Sequence, residues 1–271
     1  MSEVRLLTEA DVPQAMLLKQ AAAWNQTEQD WLRMLELEPE GCFGIAREGK
    51  LVATATAVCY GRELAWIGMV LTQPEFRGQG LASELMRAAL EFLDSRRIEW
   101  VKLDATAMGE GLYRKFGFVE ECAVERWLRP PGAAEASAVG AYEPQADLDL
   151  RAFGVDRSRV LCLLADEAAS IPGAGYAMGR AGSNATFFGP CVAVHAAAAE
   201  SLARWFLARR AAEPVYWDLA PENREAVEIA QSLGFVRARE LVRMARQGVG
   251  AARPVRANGR LVYALAGFEF G

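Results

Sequence analysis

The 271-residue chain has a single histidine, only five cysteines and no excess of basic residues, and each shortage removes a class of function. Cys42, Cys59, Cys122, Cys162 and Cys191 are odd in number, scattered, and never spaced C-x-x-C. Neither a disulfide framework nor a zinc site is expected, and no metal is assigned; the thiols read as reduced, packed core residues. A net charge of −5 and an isoelectric point near 5.2 give no overall attraction to nucleic acid or to an anionic membrane. The one uncharged run as long as the ~18 residues of a membrane span, 181–199, is broken by Gly, Ser, Asn, Pro and His and is not an apolar span, and the opening MSEVRLLTEADV has no basic stretch followed by an apolar one. A cytoplasmic location is the expectation, with neither membrane nor nucleic acid as partner.

What is present has the balance of an ordinary globular protein, 52% hydrophobic and 24% charged. At ~100 to 200 residues per domain the length predicts two domains. Residues 130–147, PPGAAEASAVGAYEPQAD, have linker composition and separate residues 1–129 from 148–271. Before the linker the pattern predicts helices from Asp11 to Ala23 and from Thr27 to Leu37, then a hairpin of CFGIARE and LVATATAVCYG around Gly49 and Lys50. The strand ELAWIGMVL follows, then a helix from Leu81 to Ser95, the strand WVKLDAT, a short helix ending at Gly117, and the strand FVEECAVERWL. The fold class expected is α/β in the α+β sense: a mixed sheet with hairpins.

After the linker the order partly recurs, with a helix in RSRVLCLLADEA, strands GYAMGR and ATFFGPCVAV, a helix from Ala196 to Arg210, the strand PVYWDL, a helix in NREAVEIAQSLGF, and the strand VRARELVRMAR. Gly117-Phe118-Val119 matches Gly234-Phe235-Val236, and Arg126 and Arg129 match Arg243 and Arg246, all offset by 117 residues; Asp104 and Asp218 pair at 114. The halves read as a duplicated unit. The run LVYALAGFEFG has no counterpart before the linker, and either completes its own sheet or pairs near the junction of the halves.

The stretch PEFRGQGLASELM, residues 74 to 86, stands between a predicted strand and a predicted helix. Backbone amides at the start of that helix can receive an anion, with Gly78 and Gly80 allowing close approach and Arg77 adding charge; a plain strand-to-helix turn is the alternative. The stretch is not a P-loop, and Ser83 replaces the third glycine of the dinucleotide fingerprint. It resembles the central motif of the GCN5-related N-acetyltransferase (GNAT) superfamily: Arg77, Gly78, Gly80 and Ala82 form R-G-x-G-x-A, with a second signature in DATAMGEGLYRKFGF. The resemblance spans about residues 4 to 128.

It implies two GNAT-like domains, each a mostly antiparallel mixed sheet flanked by helices, the first of them catalytic, with acetyl-CoA as cosubstrate and a primary amine attacking the thioester directly. By the same resemblance, Val70, Leu71 and Thr72 pair with the pantetheine arm. Amides of Arg77, Gly78, Gln79, Gly80, Leu81 and Ala82 hold the pyrophosphate, and an amide near Val70 or Leu71 polarises the carbonyl. Tyr113 is the general acid. The base stays open among Asp104, Glu63, Glu28 and Asp30, and Asp104 alternatively caps the turn after its strand. Trp24, Asn25 and Gln26 border the acceptor site, with Asp104 as a further substrate contact. The acceptor is equally open: a small-molecule amine, an aminoglycoside-like drug, an amino acid or a protein N-terminus. Rival readings are an acyl-CoA sensor without turnover and a transferase for longer acyl groups. The tandem halves imply a pseudo-dimeric monomer or a homodimer.

The second copy lacks the chemistry. Gly68 to Leu85 spans 17 residues, whereas Gly189 to Leu202 spans 13, and GPCVAVHAAAAE offers neither Arg nor Gly where the cradle should lie. Counting back from the shared Gly-Phe, Ala230 replaces Tyr113. Residues 148–271 are therefore expected to be degenerate and not to bind coenzyme A in the usual way, and His195 reads as a helix-start residue. Seven arginines between Arg237 and Arg260 read as solvated strand faces, the alternative being contact with an acidic substrate or RNA.

Overall fold

Local signals in the sequence start and stop the elements of the computed structural model, which describes residues 3–250 and 253–271. After β1 (Val4–Leu6), α1 (Val12–Ala21) carries its proline in the first turn, where no amide hydrogen is needed. Thr27 and Asp30 form a capping box that opens α2 (Glu28–Leu37): the Thr27 amide donates to Asp30 at 2.8 Å and the Asp30 amide to Thr27 Oγ1 at 3.4 Å. β2 (Cys42–Arg47) and β3 (Lys50–Tyr60) are joined through Glu48 and Gly49, both at positive φ, which suits a tight hairpin. β4 (Leu64–Thr72), α3 (Leu81–Ser95), β5 (Trp100–Ala105), α4 (Ala107–Lys115) and β6 (Val119–Arg129) follow the sequence expectation closely.

Beyond them the structure departs from that expectation in places. The linker-like run holds a two-residue strand, β7 (Gly140–Ala141), and α5 (Ala146–Phe153) begins at its end. The helix expected through RSRVLCLLADEA stops early: α6 is Ser158–Leu164, and Glu167 already opens β8 (Glu167–Ile171). Then come β9 (Gly175–Arg180), β10 (Thr186–Ala193), α7 (Ala196–Arg209), β11 (Val215–Leu219), α8 (Arg224–Ser232), β12 (Val236–Gln247) and β13 (Val262–Ala264). All five cysteines are free; Cys42 and Cys191 are buried, whereas Cys162 is exposed and not the packed thiol expected. Among the described residues no helix is long and apolar enough to cross a membrane.

The thirteen strands among the described residues join one sheet, ordered β1-β2-β3-β4-β5-β12-β6-β11-β10-β9-β8-β7, with β13 paired to β10. The two halves exchange their long last strands: β12 lies between β5 and β6, and β6 lies between β12 and β11. The duplicated side chains fit this exchange. Arg243 sits opposite Asp104 and Arg126 opposite Asp218, and each arginine grips its aspartate with two hydrogen bonds of 2.6 to 3.0 Å. Residues from both halves also share one apolar core, where Trp31, Met34 and Trp66 meet Tyr176, Met178 and Phe270. Separate cores pack α3 on the first half of the sheet and α7 with α8 on the second.

Among the described residues two strand pairs run parallel, β4 with β5 and β10 with β11. Each pair stays together for three residues and then parts. β4 leaves β5 after Trp66 and continues to Thr72 with no strand partner on that side among the described residues. In the second half the corresponding gap is filled: β13 pairs with β10, the Leu265 amide donates to the Asp218 carbonyl of β11 at 2.7 Å, and Trp217 Nε1 donates to the Tyr263 carbonyl at 2.7 Å.

Candidate active site

The open gap in the first half leads into a cavity of about 720 Å³, within the range of small-molecule sites. A bulge in β4 shapes one wall. Thr54 and Thr56 of β3 face Leu71 and Gly68, so β4 has one residue more than its partner. Met69 takes up the difference at φ +49°, and its carbonyl accepts from Thr54 Oγ1 at 2.8 Å. Val70, Leu71 and Thr72, which follow the bulge, all line the cavity.

The turn between β4 and α3 supplies the next wall. Gly78 and Gly80 have φ of +75° and +84°, and an added Cβ at either would meet nothing within 4 Å. Glycine is therefore required here by backbone conformation, not by space. Gly80 is the N-cap of α3 and no side chain caps it. Amides of Gly78 through Ser83 have no hydrogen-bond acceptor among the described residues, since the first donor of the helix is Glu84, to Gly80 O at 3.1 Å. Unpaired amides at the positive end of a helix dipole make an anion site. Arg77, Gly78, Gly80, Leu81 and Ala82 border the cavity; Gln79 does not, and its side chain turns back to the Glu75 carbonyl. The matching end in the second half is closed, because His195 caps α7 by accepting the Ala198 amide on Nδ1 at 3.1 Å.

Tyr113 lies in the same cavity, 8% exposed, on the last turns of α4. Its ring rests on Gly109, where a Cβ would fall 2.8 Å from Cε2, and meets Phe118 edge-on. Its hydroxyl has no hydrogen-bond partner among the described residues, and burial pushes its pKa well above that of a free phenol. Ala230, at the corresponding position, is fully buried in the second core.

The proposed acceptor and base residues separate into three groups. Trp24 and Gln26 line the cavity, but Asn25 does not. The Asn25 side chain is 1% exposed and is spent on the second half: it accepts the Asn184 and Ala185 amides and donates to the Ala185 carbonyl. Asp104 lines the cavity, yet both of its oxygens are held by Arg243, and burial pushes its carboxyl up against that pull. Glu63, Glu28 and Asp30 lie outside the lining. Glu63 bonds the Arg62 amide at the β3–β4 turn, Glu28 is exposed, and Asp30 is committed to Thr27, Arg33 and Arg180.

Five lining residues come from the second copy or from β6: Arg126, Arg239, Leu241, Phe268 and Glu269. None was singled out for the site in the sequence. Arg239, expected on a solvated strand face, is half-buried in the cavity wall, while Arg237, beyond a bulge in the β12–β6 pairing, is exposed. Glu269 arrives because β13 continues as the turn GFEFG, which packs on β4: a Cβ on Gly68 would lie 3.0 Å from Glu269 Cα. The available signal was one acid framed by two phenylalanines and two glycines.

Two family models match the chain, "Acetyltransferase (GNAT) family" over residues 9–118 and "Acetyltransferase (GNAT) domain" over residues 146–256. An uncharacterized N-acetyltransferase of Methanocaldococcus jannaschii is 29% identical over 115 residues, 39% of this chain and 50% of that protein, so the match spans about half the relative's length. Among solved structures, a candidate acetyltransferase of Pyrococcus horikoshii aligns over 100% of this chain and 96% of its own, at 22% identity and a TM-score of 0.84. A GCN5-related N-acetyltransferase of Sphaerobacter thermophilus aligns over 95% and 98% (17% identity, TM-score 0.70). A tandem GNAT protein of the clavulanic acid biosynthesis pathway aligns over 93% and 100% (14%, 0.64). With both halves matched and an anion cradle beside a parted strand pair in the first, the chain belongs to the GNAT acetyltransferase family, as a tandem of two such units whose fold implies an acyl-CoA cosubstrate.

Proposed function

We propose that the protein transfers an acetyl group from acetyl-CoA to a primary amine by direct attack on the thioester, with Tyr113 as general acid. Residues 1–129 carry the coenzyme site, and residues 148–271 form a domain without turnover that completes the acceptor side. The observation that carries this reading is the joining of an uncapped amide cradle, an unpaired strand edge and Tyr113 in one cavity.

In this reading the amides of Gly78 to Ala82 hold the pyrophosphate, each charge-assisted bond contributing on the order of 1.5 to 3 kcal/mol, whereas the Arg77 amide, expected among them, is taken by the Pro74 carbonyl at 3.3 Å. The unpaired edge at Val70, Leu71 and Thr72 takes the pantetheine as an added strand. An amide near Val70 or Leu71 polarises the carbonyl. Tyr113, kept neutral by burial, donates to the sulfur as the C–S bond breaks. The filled gap and the capped helix of the second half support a single coenzyme site per chain.

The test is transfer itself. Purified protein with acetyl-CoA and a panel of primary amines is expected to release free thiol and yield N-acetylated product by mass spectrometry. Tight acetyl-CoA binding with no product from any amine would contradict catalysis and favour a sensor, and faster transfer from longer acyl-CoAs would correct the acyl group.

A further inference from the structure

Two groups in the cavity wall accept hydrogen bonds and lack a full set of donors. Gln26 is 4% exposed; its Nε2 donates to Glu269 Oε2 at 3.1 Å, and its buried Oε1 has no donor among the described residues. Glu269 is 2% exposed and receives Arg180 on its other oxygen at 3.0 Å. Arg180 is shared: its Nε reaches Asp30 and its Nη1 the Ala266 carbonyl. The charged and titratable groups facing Glu269 are thus Arg180 from β9, Arg126 from β6, Asp30 from α2 and Tyr60 from β3. Burial pushes the Glu269 carboxyl up, and Arg180 pulls it partly back. A buried orphan acceptor beside a carboxylate is costly unless a ligand supplies N–H donors, and an ammonium has three and no acceptor.

A third group has the opposite shortage. Along β12, Arg237 pairs with Glu125 and Arg243 with Asp104, but Arg239 has neither ion pair nor hydrogen bond among the described residues. It stands directly across from Arg126, whose guanidinium is tied to Asp218 and stacked on Phe268. Like charges opposite one another on neighbouring strands repel. Burial and Arg126 together push the Arg239 pKa down, and Asp218 and Tyr216 pull it only partly back.

We infer that the acceptor is a primary amine that also carries an oxyanion group, its nitrogen held by Gln26 Oε1 and the Glu269 carboxylate and its anion by Arg239. The inference rests on the acetyl-transfer reading and adds the acceptor class and the base. The ammonium gives one proton to Glu269, which passes it to solvent. The nitrogen lone pair then forms the C–N bond, the C–S bond breaks, and the sulfur takes the Tyr113 proton. The second nitrogen proton restores Tyr113 through solvent, so one proton is released per acetyl group transferred.

The experiment uses the full chain with acetyl-CoA and a series of primary amines of equal length ending in carboxylate, phosphonate, amide or methyl. The acid-terminated amines are expected to exceed the neutral ones by about 10-fold in kcat/KM, and the carboxylate and phosphonate arms identify the oxyanion. Arg239→Gln should lower that ratio about 10-fold, with Arg239→Lys retaining part of it. Glu269→Gln should lower kcat by about 100-fold for every amine and remove the limb over which kcat/KM rises with pH; Glu269→Asp should keep the limb. That limb lies above the ordinary carboxylate range, because the base acts only when ionised and its pKa is raised. Equal rates for acidic and neutral amines, an unchanged ratio in Arg239→Gln, or a limb that survives Glu269→Gln would each overturn the inference. Transfer to no amine would instead reject the functional reading beneath it.

Discussion

Replacing Tyr113 with Phe is expected to lower kcat by about 100- to 1000-fold and to leave the KM for acetyl-CoA nearly unchanged, as measured by thiol release with a cognate amine. The change removes one oxygen and keeps the ring on Gly109 and against Phe118, so the fold and the cavity are preserved. What is lost is the proton for the departing thiolate, about 3 to 4 kcal/mol at the transition state. The hydroxyl makes no protein hydrogen bond among the described residues, so its loss strands no buried partner. A fall in kcat with constant KM marks an interaction made only in the transition state. Unaltered turnover would remove Tyr113 from the mechanism, and a rise in KM alone would make it a binding residue.

Asp218→Ala should reduce stability to urea by about 3 to 5 kcal/mol, the range for one partner removed from a buried pair. Asp218 is 1% exposed and accepts both Nε and Nη2 of Arg126, at 2.7 and 2.6 Å. Its loss leaves a guanidinium surrounded by Phe187, Tyr216 and Phe268, with Arg239 across the sheet. Arg126 and Asp218 come from different halves, so their coupling tests the strand exchange. Were each half to keep its own last strand, Asp218 would face Arg243 instead, and a double-mutant cycle of Asp218→Ala with Arg126→Leu would show no coupling; with the exchange a coupling above about 1 kcal/mol is expected.

Local features of this chain could be read from sequence; placements that depend on distant pairing could not. The turn RGQG and the helix Leu81–Ser95 are contiguous, with their start and stop written in glycine and apolar period, and the structure has that helix over those residues. Offsets of 117 and 114 singled out the arginines and aspartates that pair, but not which half each joins. The exchange of β6 and β12 lies at a sequence separation that alternation cannot resolve, since either partner satisfies the same pattern. α5 is short and begins inside linker-like composition, and β8 follows α6 so closely that its first residues continue the helical pattern, so period alone did not place either. Asn25 was expected at the acceptor site with Trp24 and Gln26 because of the family resemblance of their segment, yet one residue along the loop turns its side chain into the second half. Glu269 follows only from the route of β13 through the second gap and back to β4.

The central claim is one coenzyme site per chain, built on the β4–α3 turn, and calorimetric titration with acetyl-CoA tests it most directly. A stoichiometry of one is expected. Gly80→Val should weaken binding sharply, because a β-branched residue at φ +84° is strained by about 1 to 3 kcal/mol and shifts the amides that follow. His195→Ala should leave coenzyme affinity unchanged, since that residue only caps α7. Two molecules bound per chain, or undiminished binding by Gly80→Val, would contradict it.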